Sequence, residues 1–429
     1  LSAAEAAGKL TRPKRNRLLA DMTDEVAELV LRNNYLQTLC LSTIEARGTR
    51  EAEYLCRLMR NLESKGLLDR QLEFLPDDGT VTDRLAHYRG LLRPETSVLM
   101  AYAKMVLFDD LMQTNVPDDP YFEEQLFRYF PAGMQKKYAG EISNHRLRRE
   151  IVATMLANGM INRGGPTFIL RLQEETGHDI AQIARAYAVA RDAFSLMESS
   201  SLIDALDNQI DGTLQVELYV QLQRILRRAT IWFLRNEMFS EGLATTVARY
   251  KKGIGEVSKN LKGALPAHNW SRIEDRVKRY SEQGVPAGTA QSVSGLRYLL
   301  RATAIVQVAA QSRQPIAIVA RTYFTSGIAL GVDRLIVRSD EIDTTRYYDK
   351  LAVNRSIDGI LQTLRGIVVN TMSAKSGKQD PWVQWSSHNE EALARVQRGI
   401  DELLSETGFT LAKLAVASSQ LSDLAVETG

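Results

Sequence analysis

What the sequence lacks narrows its reading first. No apolar run is long enough to cross a bilayer; the nearest, 299–310, is interrupted by Arg301 and Gln307, so no membrane partner is expected. Cysteine is confined to Cys40 and Cys56, both in apolar-patterned helical sequence. Two such residues do not make a disulfide framework and suit a reducing, cytoplasmic compartment. There is no excess charge of either sign. Lys and Arg number 54 against 52 Asp and Glu, a net +2, which gives no electrostatic reason to expect nucleic acid or an anionic membrane. A GxxxxGK[ST] phosphate loop is absent. The near-match to a dinucleotide turn, Gly253-Ile254-Gly255-Glu256-Val257-Ser258, lacks the third glycine. It also follows Tyr250-Lys251-Lys252 at an expected helix end instead of a strand, so it reads as an ordinary helix terminus. The five histidines, His87, His145, His178, His268 and His388, form no HExxH pair, metal spacing or couple with a nucleophile. Each reads as a surface or capping group.

What is present is helical periodicity. Of the 429 residues 44% are hydrophobic and 25% charged, the balance of a globular protein large enough for two or three packed lobes. From Thr23, read as an N-cap, the apolar positions Val26, Leu29, Val30, Tyr35, Leu36, Leu39 and Cys40 return every three or four residues, placing one apolar stripe on a helix. Pro94, Pro120, Pro166 and Pro315 each precede a similar stripe, as proline does in a first helical turn. Glycine, proline and aspartate clusters fall between the stripes. Strand signals are scarce; 332–337 resembles a strand but fits a helix end better. No alternating βαβ pattern and no fixed-period repeat occurs. The expectation is an all-α, multi-helix, bundle-like fold with no Rossmann domain and roughly two-thirds to three-quarters helix, well above the usual third. Breakers divide it into 1–20, a main helical region 21–285 and a carboxy-terminal helical region 286–429 packed on it. A weaker break lies at Lys375-Ser376-Gly377-Lys378, and 389–424 reads as two amphipathic helices joined at Thr407-Gly408-Phe409.

Few residues suggest chemistry. Asp118-Asp119 reads as a cap for the following helix, and Arg146, Arg148 and Arg149 as a solvated helix face. Two features are candidate anion or interface contacts. Asn162-Arg163-Gly164-Gly165-Pro166-Thr167 combines flexible backbone amides, a guanidinium and a helix start, the ingredients of an anion cradle. A tight interhelical turn is the favoured alternative. Trp382 and Trp385 suit a partner anchor, although burial against a neighbouring helix is favoured over it. Spacing alone identifies no catalytic, cofactor or metal residue.

A series of short motifs nevertheless resembles one family. Met22-Thr23-Asp24-Glu25-Val26 and Leu31-Arg32-Asn33-Asn34-Tyr35-Leu36-Gln37 are similar to the segment after the catalytic domain of the large bacterial NAD-dependent glutamate dehydrogenases. Arg93-Pro94-Glu95, Ala101-Tyr102-Ala103-Lys104, Val116-Pro117-Asp118-Asp119-Pro120-Tyr121 and Arg128-Tyr129-Phe130-Pro131 continue the match in order. His145-Arg146-Leu147-Arg148-Arg149-Glu150-Ile151, Asn162 to Phe168 as one run, Ala186-Tyr187-Ala188-Val189-Ala190-Arg191 and 323–335 complete it. The resemblance covers this whole chain but only the carboxy-terminal portion of the family. It implies a parent enzyme that oxidises L-glutamate with NAD, passing hydride to the nicotinamide before the imine is hydrolysed. The groups that do this lie upstream of Met22 in the family, so no catalytic residue is carried over and NAD belongs to the parent. Residues 1–20 then become the connection from an upstream catalytic domain of the same polypeptide. The opening Leu1-Ser2-Ala3-Ala4, without an initiator Met or signal-peptide layout, fits a piece of something longer. A homo-oligomeric parent and a structural or regulatory role for this part complete what the resemblance implies. The alternatives are a free-standing helical scaffold of shared ancestry, or an independent enzyme using 162–167 for an anionic substrate.

Overall fold

The computed structural model describes residues 1–344, 346–373 and 379–429. Among them the chain is 78% helical, with 24 α-helices, two short 3-10 turns and no strand. It forms two compact units, Leu1–Val247 and Ala248–Gly429.

In the first unit the centre is the Ile180–Ala193 helix. Its sequence is mostly apolar or alanine, and Ile183, Ala184, Ala186, Tyr187, Ala188, Val189 and Ala190 are all buried. The helix starts where it does because Asp179 and Gln182 cap one another: the Asp179 carboxylate accepts the Gln182 N–H at 2.8 Å, and Gln182 Oε1 accepts the Asp179 N–H at 3.1 Å. It packs on the Gly212–Asn236 helix, while Arg148–Gly164 packs on Arg93–Met112 and Thr23–Arg47. Pro94 stands in the first turn of Arg93–Met112, as its sequence pattern requires.

Three sequence expectations change here. Thr23 is not a cap: a helix Arg12–Asp21 precedes it, and its hydroxyl donates to the Leu19 carbonyl at 3.3 Å within that helical path. The stripe begun at Val26 is buried only in its second part. Val26, Leu29 and Val30 are 46%, 41% and 56% exposed, whereas Cys40, Leu41 and Ile44 are buried. Arg149 is a clamp rather than part of a solvated face. It pairs with Asp118 and donates to the carbonyls of Met112 and Thr114, both at 3.1 Å, fastening the turn before Pro120. Asp119 does cap the next turn, accepting the Tyr121 N–H at 3.0 Å.

In the second unit the long Tyr347–Ser373 helix packs against Ala302–Ser312, Ile316–Ala329 and Leu411–Glu427. Gly284, at φ 91°, turns the chain between Ala267–Glu282 and Ala287–Leu299, which pack together as a hairpin. That breaker-rich point, where the sequence reading divides the chain at 285/286, is therefore a turn within one unit; the units divide at 247/248. The break at 375–378 lies outside the described residues. The final pair of helices is Glu390–Ser405 and Leu411–Glu427, joined through Gly408 at φ 67°. The segment 332–337 is part of a helix of its own, Val332–Ser339.

Gly253 is not at a helix terminus. It lies inside the Leu243–Ala264 helix, where a Cβ would stand 2.4 Å from Val306 Cγ2 on the Ala302–Ser312 helix. The missing third glycine thus has a packing counterpart: the first is kept small by close helix–helix approach. Gly253→Ala gains about 1 kcal/mol of helix propensity. Forcing a methyl against a packed valine costs about 1–3 kcal/mol, so the net change is a loss. A lower thermal midpoint followed by circular dichroism, restored by Val306→Ala in the same chain, is the expected result; a raised midpoint contradicts the close approach.

No single helix among the described residues is long and apolar enough to cross a membrane. Ile316–Ala329 and Val332–Ser339 reach that length only together, bent by 62° at Gly331, and Val319, Ala320, Tyr323, Phe324 and Leu335 are buried inside their unit.

Candidate functional site

Residues 162–167 end one helix and begin the next. Gly165, at φ 92°, closes Arg148–Gly164 by donating its N–H to the Ile161 carbonyl at 2.8 Å, and the Phe168 N–H goes to Gly165 O at 3.2 Å. A Cβ on Gly164 would lie 2.4 Å from the Phe168 ring, so the turn is tight because both glycines permit it. Gly165, Pro166 and Thr167 are buried. Asn162 Nδ2 donates to Asn33 Oδ1 at 3.4 Å, and Arg163 donates to the Ser200 hydroxyl at 2.7 Å. Burial pushes the Arg163 guanidinium below its ordinary pKa. These side chains face neighbouring helices, and the amides of Gly165 and Phe168 are spent on the turn itself. Trp382 and Trp385 lie in the other unit. Their rings stack 5.1 Å apart at 23°, they are 7% and 4% exposed, and Asp380 caps their helix by accepting the Trp382 N–H at 2.9 Å. Neither ring is offered to solvent.

The charged interior of the first unit is more informative, and the sequence reading did not single it out. Arg191, only 6% exposed, forks onto Asp192 with Nε and Nη2 donating at 2.7 and 2.6 Å. The Tyr121 hydroxyl donates to the same carboxylate at 2.6 Å. Burial works against the Arg191 charge, but Asp192 outweighs it and holds the guanidinium above its usual pKa. Nearby, Arg32 pairs with Asp204, whose carboxyl burial still holds above its ordinary value. The helix carries two arginines among its alanines, Arg185 and Arg191, and only the packing tells the buried one from the other.

A second network centres on Glu51, 7% exposed at the start of the Thr49–Ser64 helix. Its carboxylate accepts from Arg47 at 3.0 Å and from Arg171 at 3.2 and 3.3 Å. Arg171 lies 3.8 Å from the centre of the Tyr54 ring, a close cation–π contact, and Arg47 also donates to Gln223. Burial raises the Glu51 carboxyl, yet Arg171 and Arg47 beside it prevail and hold it below the usual range. Arg227 with Glu175 at 2.8 Å and Arg57 with Glu174 at 2.6 Å extend the ionic layer onto the Phe168–Thr176 and Gly212–Asn236 helices.

These groups are matched acid to base and suited to holding helices in register. The Cys40 thiol donates to the Ile161 carbonyl at 3.4 Å, and burial lifts its pKa to about 12, so it stays a thiol and not a nucleophilic thiolate. Cys56 is likewise raised by burial. No group of three His, Cys, Asp or Glu side chains able to hold a metal occurs among the described residues. In the second unit, an open groove of about 560 Å³ is lined by Lys259, Lys262, Trp270, Glu274 and Lys278, with the Trp270 indole donating to Glu274 at 2.6 Å.

Fold and polar interior together define a class: an all-α protein of two helical units, the first tied internally by buried arginine–carboxylate pairs. Comparison with known proteins makes the assignment specific. Residues 88–423 match the family model for the glutamate dehydrogenase C-terminal region, and residues 1–44 match that for the bacterial NAD-glutamate dehydrogenase catalytic domain. The chain is 36% identical over 423 residues to the NAD-specific glutamate dehydrogenase of Pseudomonas aeruginosa, covering 98% of this chain and 26% of that protein. It is 35% identical over 425 residues to that of Halomonas elongata, covering 97% and 26%. For the Mycobacterium tuberculosis protein of the same name the identity is 27% over 427 residues, covering 99% and 26%. The chain therefore belongs to the glutamate dehydrogenase C-terminal family, and it spans about a quarter of the length of the curated relatives it matches. The catalytic-domain match runs to residue 44, inside the Thr23–Arg47 helix and well past residue 20, where the sequence reading ends the connection.

Proposed function

We propose that this chain is the helical carboxy-terminal part of an NAD-specific glutamate dehydrogenase, and that its own role is structural or regulatory. The parent reaction is L-glutamate, NAD and water going to 2-oxoglutarate, ammonia and NADH. The observation that carries the reading is the pairing of two matches: nearly all of this chain aligns with about a quarter of each relative, while the catalytic-domain model touches only residues 1–44. A nicotinamide site, a general base and a substrate-positioning lysine then belong to the upstream catalytic domain, which also holds the NAD. The parent works as a homo-oligomer in the cytoplasm; two reduced, buried cysteines suit that compartment. Buried arginine–carboxylate layers support a rigid-body role, since such pairs fix register more than they add stability.

Purified residues 1–429, shown helical by circular dichroism, are expected to bind no NAD and to form no NADH from L-glutamate, while the parent polypeptide does both. NADH formation by this chain alone would overturn the reading.

A further inference from the structure

The first turns of the Thr23–Arg47 helix break the rule that an apolar stripe is buried. Val26, Leu29 and Val30 stand at i, i+3 and i+4 and so share one face, and they are 46%, 41% and 56% exposed. By the same periodicity Asp24 and Glu28 fall on the opposite side, leaving the strip without a charged group at its centre. Met22, one turn earlier, is buried, and Cys40, Leu41 and Ile44 are buried further on. The strip thus sits in a gap in the cover, from Thr23 to Leu31, in which every residue but the half-buried Glu25 is exposed, Leu31 included at 65%. The hydrogen-bond ladder is continuous through the gap's start, with Val26 N–H donating to Met22 O at 3.0 Å, so the strip is on formed helix and not on a frayed end.

Where the exposure falls is the second observation. It lies within residues 1–44, the part that matches the catalytic-domain model; the covered residues Cys40, Leu41 and Ile44 fall in that part too, and the helix packs in the first unit on Arg93–Met112, Arg148–Gly164 and Gly212–Asn236. The helix therefore carries the sequence character of the catalytic domain along most of its length, while its last turns are built into the helical unit. The relatives are about four times longer than this chain, so a protein body is available to cover the strip.

We infer that the Val26–Leu29–Val30 strip is the docking face for the catalytic domain that precedes it in the same polypeptide, making this helix the rigid joint between the catalytic and helical parts. The inference rests on the proposed function and adds to it the surface through which the two parts meet. A continuous helix shared between two bodies transmits displacement with little loss, which is what a structural or regulatory role needs.

The test uses the full-length polypeptide. Val30→Cys is expected to react with a maleimide about ten-fold more slowly than Val426→Cys, a position 82% exposed, because docking leaves residue 30 reachable only in rare open states. Equal rates at the two positions would overturn the docking face. In a second variant, Leu29 is replaced by the photo-cross-linker p-benzoylphenylalanine and the cross-linked peptide is identified by mass spectrometry. A cross-link to the catalytic-domain segment supports the inference; a cross-link to the helical units of a second copy, or none, overturns it. Glutamate-dependent NADH formation by the unmodified polypeptide is measured separately. Its absence with slow labelling at residue 30 would remove the proposed function and keep the docking face.

Discussion

Glu51→Gln is expected to lower the stability of the Leu1–Val247 unit by about 3–5 kcal/mol, the usual result of removing one partner from a buried ion pair. The carboxylate sits between two guanidinium groups, those of Arg47 and Arg171, and is 7% exposed. Glutamine keeps the shape but removes the charge, leaving two half-buried cations facing each other without compensation. The same geometry fixes the pH dependence. The folded Glu51 carboxyl is held below its usual range, so its contribution is fully present above the unfolded-state value of about 4.3 and is lost as pH falls through the folded value. In the glutamine variant that part of the acid sensitivity disappears. Trp232 is the one tryptophan in residues 1–247, so urea unfolding followed by fluorescence reports this unit once Trp270, Trp382 and Trp385 are replaced by Phe in both chains compared. A lowered midpoint with an unchanged slope is expected. A change within about 0.5 kcal/mol, the range of ordinary surface substitutions, would show that the network is not buried as described.

The second large effect is at Arg191. Arg191→Met is expected to cost about 3 kcal/mol, at the lower end for a broken buried pair because the Asp192 side chain is 23% exposed and recovers some hydration. The methionine fills the apolar part of the site, so the loss reports the carboxylate and the Tyr121 hydroxyl left behind. Arg191→Lys is expected to recover little, since one ammonium cannot reproduce the two-pronged contact at 2.7 and 2.6 Å. Combining Arg191→Met with Asp192→Asn should cost less than the sum of the single changes, because the second removes the charge that the first strands. Additive losses would mean the two side chains act independently.

Much of this was readable in the residues. The apolar spacing, the prolines at helix starts and the absence of alternating strands give the all-α class, and the description of residues 389–424 as two helices joined near Gly408 matches the observed pair. Ordered motifs from Met22 to 323–335 carried the family. The errors share a cause: a local pattern does not say what lies opposite it. Gly253 looked like a helix end because only the packed Val306, 53 positions away in the chain, explains it. Val26, Leu29 and Val30 looked like core because periodicity identifies a face and not its partner. Arg149 looked like solvated charge because its partners, Asp118 and the carbonyls of Met112 and Thr114, lie elsewhere in the chain, and Glu51 and Arg171 drew no reading for the same reason. Arg191 had no local sign either, since Arg185 in the same helix has the same alanine surroundings and is only half-buried.

The central claim is that catalysis resides upstream and that the helical units serve it. It is tested most directly by ending the parent polypeptide after Ile44, where the catalytic-domain match ends, and measuring NAD binding and glutamate-dependent NADH formation beside the intact protein. The account predicts that NAD binding survives while turnover falls, with assembly or cooperativity altered. Turnover, assembly and cooperativity all equal to those of the intact protein would contradict it.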